Sequence, residues 1–157
     1  MISIVFDLDG TLADTSRDML KAANLCFEEM GYSGVLSEEM HRGTALHGGR
    51  AMLTKGLSLL NKPDLSNVVL EYYPKFLEYY RENLYEKTVF YEGAITCVEK
   101  MAEKGWNVGI CTNKPEDLAK SLLRKMSAQN YFKALVGADT ISVRKPDPAP
   151  FFETLRR

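Results

Sequence analysis

Long apolar runs are missing from this 157-residue chain, and no stretch approaches the roughly 20 apolar residues that cross a bilayer. The first residues enter an apolar strand and show no basic segment followed by an apolar core, so a secretory leader is not expected. Histidine is nearly absent. His41 and His47 are the only two, six positions apart and not on one helical face, which argues against a histidine-based metal site. Cysteine is scarce and unpaired in pattern: Cys26, Cys97 and Cys111 are odd in number, far apart and form no C-x-x-C pair. They read as reduced, mostly buried thiols of a cytoplasmic protein. No charge of one sign dominates either. Twenty basic and 21 acidic residues leave a formal net charge of −1 with no long basic run, so nothing in the charge calls for nucleic acid or a membrane surface as partner. Internal repeats and low-complexity segments are lacking too.

What is present is an ordinary globular composition, 45% apolar and 26% charged, in a length that supports one domain with a small insertion. The most informative stretch is Ile4-Val5-Phe6-Asp7-Leu8-Asp9-Gly10-Thr11-Leu12. The apolar run from Ile2 to Phe6, broken only by Ser3, reads as a buried strand stopped by a turn. In extended backbone, residues i and i+2 share a face roughly 6–7 Å apart. Asp7 and Asp9 are therefore expected to look into one cleft while Leu8 points away. A turn explains Gly10 but gives no reason for two acids on one face. Two carboxylates held close repel unless a cation or proton lies between them, and that suits Mg²⁺, which takes hard oxygen ligands and keeps several waters.

From about Asp14 to Glu86 the pattern is helical with no strand signal. Met19, Ala22, Ala23, Cys26, Phe27 and Met30 form an amphipathic stripe ended by Gly31, with Thr15 and Asp18 at capping-box spacing. A second helix is expected from Ser37 to Leu46, broken by Gly48 and Gly49, and a third from Arg50 to Leu60. A long segment capped by Ser66 follows, which Pro74 should kink or restart. From Thr88 the pattern changes to alternating elements. A helix opens at Glu92-Gly93, a buried strand spans Trp106 to Cys111, and Pro115 sits where a helix begins. A third strand lies within Phe132 to Gly137. Arg144-Lys145-Pro146-Asp147-Pro148 reads as a rigid turn, and a last helix starts before Arg157. This alternation predicts an α/β fold, a Rossmann-like parallel sheet core from residues 1–13 and 88–157, with residues 14–87 a helical stretch set between its two parts. In such sheets ligands bind beyond the carboxyl ends of the strands. Asp7, Asp9, Thr112 and Asn113 follow strand ends, and Lys145 follows the third strand by a loop.

Those residues suit a phosphate monoester. Thr112 and Asn113 offer a hydroxyl, an amide and backbone N–H groups near a helix start, and Lys145 a point charge for the phosphate and for Asp7. With the repulsion between anions reduced, Asp7 would attack phosphorus in line to form an aspartyl-phosphate. Asp9 would protonate the departing alkoxide and then activate water.

Asp7-Leu8-Asp9-Gly10-Thr11, Cys111-Thr112-Asn113-Lys114 and Arg144-Lys145-Pro146-Asp147-Pro148 also resemble, in order, the first three motifs of the haloacid dehalogenase superfamily. Across nearly the whole chain the likeness is greatest to phosphoglycolate phosphatases. The resemblance implies that Asp7 is the nucleophile and Asp9 the acid/base, and that Thr112 and Lys145 hold the phosphoryl group. It also implies Mg²⁺ contacts from the Asp7 side chain and the Asp9 backbone carbonyl, and a mobile helical cap over a small phosphorylated substrate. Leu46-His47-Gly48-Gly49-Arg50 lies where such caps approach the substrate. Arg50 is suited to a carboxylate there, although by sequence alone a surface arginine is the plainer reading. The resemblance leaves open which phosphate ester is bound and the oligomeric state.

The family's fourth motif, Gly-Asp-Ser/Thr with another Asp three positions later, has no match beyond Lys145. The chain is therefore expected to be truncated relative to the family, with the Asp7 strand left as a sheet edge. Weak Mg²⁺ binding, little phosphatase activity and marginal stability are the expected consequences. A catalytically inactive fragment acting as an oligomerising or partner-binding module is the alternative function. A phospho-receiver domain ranks last, because its acceptor aspartate follows a middle strand and it lacks a helical insertion.

Overall fold

The computed structural model describes residues 2–157. The chain divides into two compact units, one formed by residues 1–14 and 89–157 and the other by residues 15–88.

In the first unit, strand β1 (Ser3–Phe6) pairs in parallel with β4 (Asn107–Cys111), which pairs in parallel with β5 (Ala134–Val136). The sheet order is β1-β4-β5, so β1 is an edge strand, and Ile2 just before it is exposed. Parallel neighbours need crossovers, supplied here by helices α5 (Ala94–Glu103) and α6 (Glu116–Lys125). The last helix, α7 (Ala149–Arg156), packs across all three strands. It lies close because Gly109 has no side chain: a Cβ there would come within 2.9 Å of Thr154 Cγ2. Val108, Ile110 and Val136 on the sheet meet Val98, Leu118, Leu122 and Leu123 of the helices to form the buried core. The α/β parallel-sheet expectation holds.

The two-residue strands β2 (Ala13–Asp14) and β3 (Val89–Phe90) were not expected. They form an antiparallel ribbon, Ala13 opposite Phe90 and Asp14 opposite Val89, where the chain leaves the first unit and returns to it. Two residues are too few to establish an alternation, and the partners lie about 75 positions apart, so no local pattern marks them.

The second unit is helical: α1 (Ser16–Glu29), α2 (Glu38–His41), a 3₁₀ segment (Arg42–His47), α3 (Gly49–Leu59) and α4 (Leu65–Glu82). The single helix expected from Ser37 to Leu46 is thus a short α-turn followed by 3₁₀. Gly48, at φ 86°, makes the break, whereas Gly49 opens α3. A Cβ on Gly49 would strike the Phe76 ring at 2.1 Å, and one on Gly56 would strike the Phe27 ring at 2.2 Å. These two glycines let α3 seat against α4 and α1. Pro74 does not restart its helix, and α4 runs through it. The lost backbone hydrogen bond is offset by burial of Val69, Phe76 and Tyr80 on the face packed against α1 and α3. Nor does Ser66 cap that helix: it lies inside α4, and Asp64 occupies the capping position. Burial, and secondarily Glu29, pushes the Cys26 thiol up to about 12, so it stays protonated; Cys97 is exposed.

The capping box expected at Thr15 is not formed, since Thr15 makes no side-chain cap hydrogen bond. Asp18 instead accepts from Lys87 N (2.9 Å), Thr88 N (3.0 Å) and Thr88 Oγ1 (2.7 Å), fastening α1 to the far end of the insertion. Asp18 is 1% exposed. Removing it strands two buried donors on Thr88 and the part-buried Lys87 N–H, and Asp18→Ala is expected to cost about 3 kcal/mol in chemical denaturation. A loss below about 0.5 kcal/mol, the level of an ordinary surface change, would show that the contact is incidental.

Candidate active site

The site is built where β1 and β4 end. After Phe6 the chain folds around one carbonyl: Leu8 O accepts from the N–H groups of Thr11 (3.3 Å), Leu12 (3.0 Å) and Ala13 (3.1 Å). Gly10, at φ 77°, permits that turn, and its N–H donates to Ala13 O at 2.9 Å. Leu8 is fully buried in the opposite direction. Asp7 and Asp9 therefore flank an anchored residue. The Asp7 carboxylate is fixed further by the Leu8 N–H, which donates to Oδ1 at 2.8 Å.

Thr112, Asn113 and Lys114 lie between β4 and α6. Thr112 is buried. Its N–H donates to Val136 O at 2.9 Å, and its Oγ1 accepts from Lys114 N at 3.1 Å. The end of β5 presses against this loop: Ala138 N donates to Lys114 O at 2.9 Å, and Glu116 N donates to Asp139 Oδ1 at 2.8 Å. Gly137 permits the approach, since a Cβ there would lie 2.5 Å from Glu116 N. Hydrogen bonds from Lys120 and then Thr140 hold the Glu116 carboxyl below the usual carboxylate range at the start of α6.

Lys145 reaches back from its loop. Its Nζ donates to Cys111 O at 2.9 Å and lies 2.9 Å from Asp7 Oδ2. Asn113 Nδ2 donates to Lys145 O at 3.1 Å, tying the two loops together. Asp7, Asn113 and Lys145 are thus brought into one hydrogen-bonded set, with Thr112 beside them at the end of β4.

Lys114 carries no signal of its own in the sequence. Its side chain is 4% exposed and its Nζ lies 3.0 Å from Asp9 Oδ1. Instead of two carboxylates left to repel each other, the structure sets an ammonium against each. Two aspartates and two lysines sum to zero charge. A phosphate dianion entering that neutral set would bring two uncompensated negative charges. The donors are hard carboxylate oxygens, the ligand type that Mg²⁺ takes, and Asp7 and Asp9 would be the residues to hold it. Among the described residues no group of three or more His, Cys, Asp or Glu side chains is placed to hold a metal.

Arg50, at the start of α3, is not the surface arginine anticipated. It is half-buried, its guanidinium carbon lies 4.0 Å from the Tyr73 ring centroid, and its buried Nε has no hydrogen-bond partner among the described residues. No helix among the described residues is long and apolar enough to cross a membrane.

The two acid–lysine pairs lie beyond the strand ends of a parallel α/β sheet, the edge at which such sheets bind ligands. The family model for haloacid dehalogenase-like hydrolases matches residues 4–157, and the chain belongs to that family. It is 35% identical over 156 residues to a phosphoglycolate phosphatase of Mesorhizobium japonicum, covering 98% of this chain and 67% of that relative. It is 33% identical over 148 residues to one of Xanthomonas campestris pv. campestris, covering 94% and 65%. The chain thus spans about two thirds of the length of these relatives. A crystal structure of a predicted phosphoglycolate phosphatase from Haemophilus somnus superposes with a TM-score of 0.82 at 23% identity, covering 96% of this chain and 68% of that one. CbbY from Rhodobacter sphaeroides, in complex with xylulose-(1,5)bisphosphate, superposes at 0.72 with 20% identity, covering 99% and 72%. At these identities the two structures speak for the fold.

Proposed function

We propose that this chain carries the machinery for hydrolysis of a small phosphate monoester, 2-phosphoglycolate, through an aspartyl-phosphate on Asp7. The observation that carries the reading is the placement of Lys145 Nζ 2.9 Å from Asp7 Oδ2. The names of the curated relatives support the substrate. Asp7 supplies the attacking oxygen, and the Leu8 N–H and Lys145 fix its orientation. Lys145 and Thr112 take the phosphoryl oxygens. Because Thr112 Oγ1 accepts from Lys114, its own hydroxyl hydrogen is directed away from that bond and can donate to the ligand. Asp9 protonates the leaving alkoxide and then takes a proton from the water that cleaves the acyl phosphate. Lys114 holds the Asp9 carboxylate in place between these steps. Mg²⁺ bound by the Asp7 side chain and the Asp9 backbone carbonyl would supply the positive charge that offsets the phosphate.

The direct test is phosphate release from 2-phosphoglycolate with Mg²⁺ present, for the parent chain and for Lys145→Met. The substitution is expected to lower release by ~10²-fold, the scale of losing one electrostatic contact to developing charge. Release that is unchanged in the variant would contradict the reading.

Arg50 extends the proposal to the carboxylate end of the substrate. Its unsatisfied Nε is a buried donor in want of an acceptor, and stacking on Tyr73 holds the guanidinium plane. Arg50→Ala is expected to raise KM for 2-phosphoglycolate by ~10-fold, the worth of about 1.4 kcal/mol. KM for p-nitrophenyl phosphate, which has no carboxylate, should stay within about twofold. Equal loss for both substrates would remove Arg50 from the recognition of the carboxylate.

A further inference from the structure

Away from the aspartates, at the amino end of β5, a cavity of about 400 Å³ opens between α6, β5 and the end of α7. Lys120, Arg124, Lys133 and Arg157 line it, over an apolar floor that includes Leu123 and Phe132. Four cations around one concavity repel one another, and their neighbours account for only part of that charge. Lys120 pairs with Glu116, and Arg157 pairs with Glu153 at 2.8 Å and approaches Glu116 at 3.8 Å. Lys133 Nζ donates to a neutral acceptor, Asn107 Oδ1, at 2.7 Å. Lys133 and Arg124 have no anionic partner among the described residues. Glu153 is shared with Arg156 at 2.8 Å, so the four lining cations face no more than two carboxylates and at least two positive charges are in excess.

We propose that this groove is a binding site for a small polyanion, a molecule carrying two or more carboxylate or phosphate groups. Its charge matches the excess, and the fork of Arg124 suits an oxyanion in the way a point charge does not. The groove's position separates it from the catalytic chemistry. Asp7 and Thr112 follow the carboxyl ends of their strands, whereas Phe132 and Lys133 precede β5.

The test is calorimetric titration with citrate and, separately, inorganic pyrophosphate, in metal-free buffer at constant ionic strength. The two probes distinguish carboxylate from phosphate ligands. Saturable binding of one equivalent is expected, weakened at least tenfold in the double variant Arg124→Gln/Lys133→Gln. Both side chains are exposed, so the variant should melt at the parent temperature without ligand. Equal affinity in the variant, or no saturable binding of either probe, would overturn the proposal. Backbone amide shifts of the parent chain give an independent reading. Movement centred on Lys133, Leu135 and α6 is expected, and movement centred on Asp7 and Thr112 would place the anion at the catalytic end instead.

Discussion

Asp7→Asn is expected to bring phosphate release down to background, at least ~10³-fold below the parent chain, because the variant lacks the nucleophile on which the covalent route depends. The substitution isolates chemistry from folding. Asparagine keeps the shape of the side chain, and its carbonyl oxygen can still accept from the Leu8 N–H that now meets Asp7 Oδ1 at 2.8 Å. Lys145 loses its ionic partner, but its side chain is 30% exposed and it keeps its hydrogen bond to Cys111 O, so water compensates much of the lost attraction. The melting temperature of the variant should therefore lie close to that of the parent. Release within a factor of ten of the parent would show that Asp7 is not the group that attacks.

The second large effect is on stability. Lys114→Met is expected to destabilise the chain by about 3 kcal/mol, because it removes one member of a largely buried pair and leaves the other charge without its counterpart. The pair is asymmetric: the Lys114 side chain is 4% exposed and that of Asp9 is 18% exposed. Residual hydration of Asp9 places the cost at the lower end of the range for buried pairs. The double variant Lys114→Met/Asp9→Asn should recover a substantial part of the loss, since no unmatched charge remains. Additive losses in the denaturation cycle would show that the two side chains do not interact.

The candidate site was legible in the sequence to the extent that its residues sit in short contiguous motifs. Asp7 and Asp9 follow an apolar strand, and the strand end explains why they escape the core while Leu8 does not. Lys145 could be linked to them because parallel strands deliver their carboxyl ends to one edge. Lys114 was hidden by its type. A lysine in a loop ordinarily points into water, and only the approach of Gly137 and Ala138 to the start of α6 reveals that this loop is packed over. Asp18 was misread for a related reason: its spacing from Thr15 matched a local cap, while its true partners at Lys87 and Thr88 lie at the other end of the insertion. Pro74 misled in the opposite sense. A local penalty of one missing hydrogen bond was outweighed by the apolar face that α4 buries on both sides of it. Arg50 shows the limit of reading residues singly, since only the structure reveals Tyr73 beneath its guanidinium. Pairings between distant segments, rather than residue types, are what the sequence conceals.

The central claim is that Asp7 becomes covalently phosphorylated, and stereochemistry at phosphorus tests it most directly. Hydrolysis of a phosphorothioate monoester made chiral with two oxygen isotopes, run in water of the third isotope, should give chiral thiophosphate with overall retention, because attack by Asp7 and then by water are two successive in-line displacements. Inversion would mean that water attacks the ester in one step, and the role assigned here to Asp7 would be contradicted.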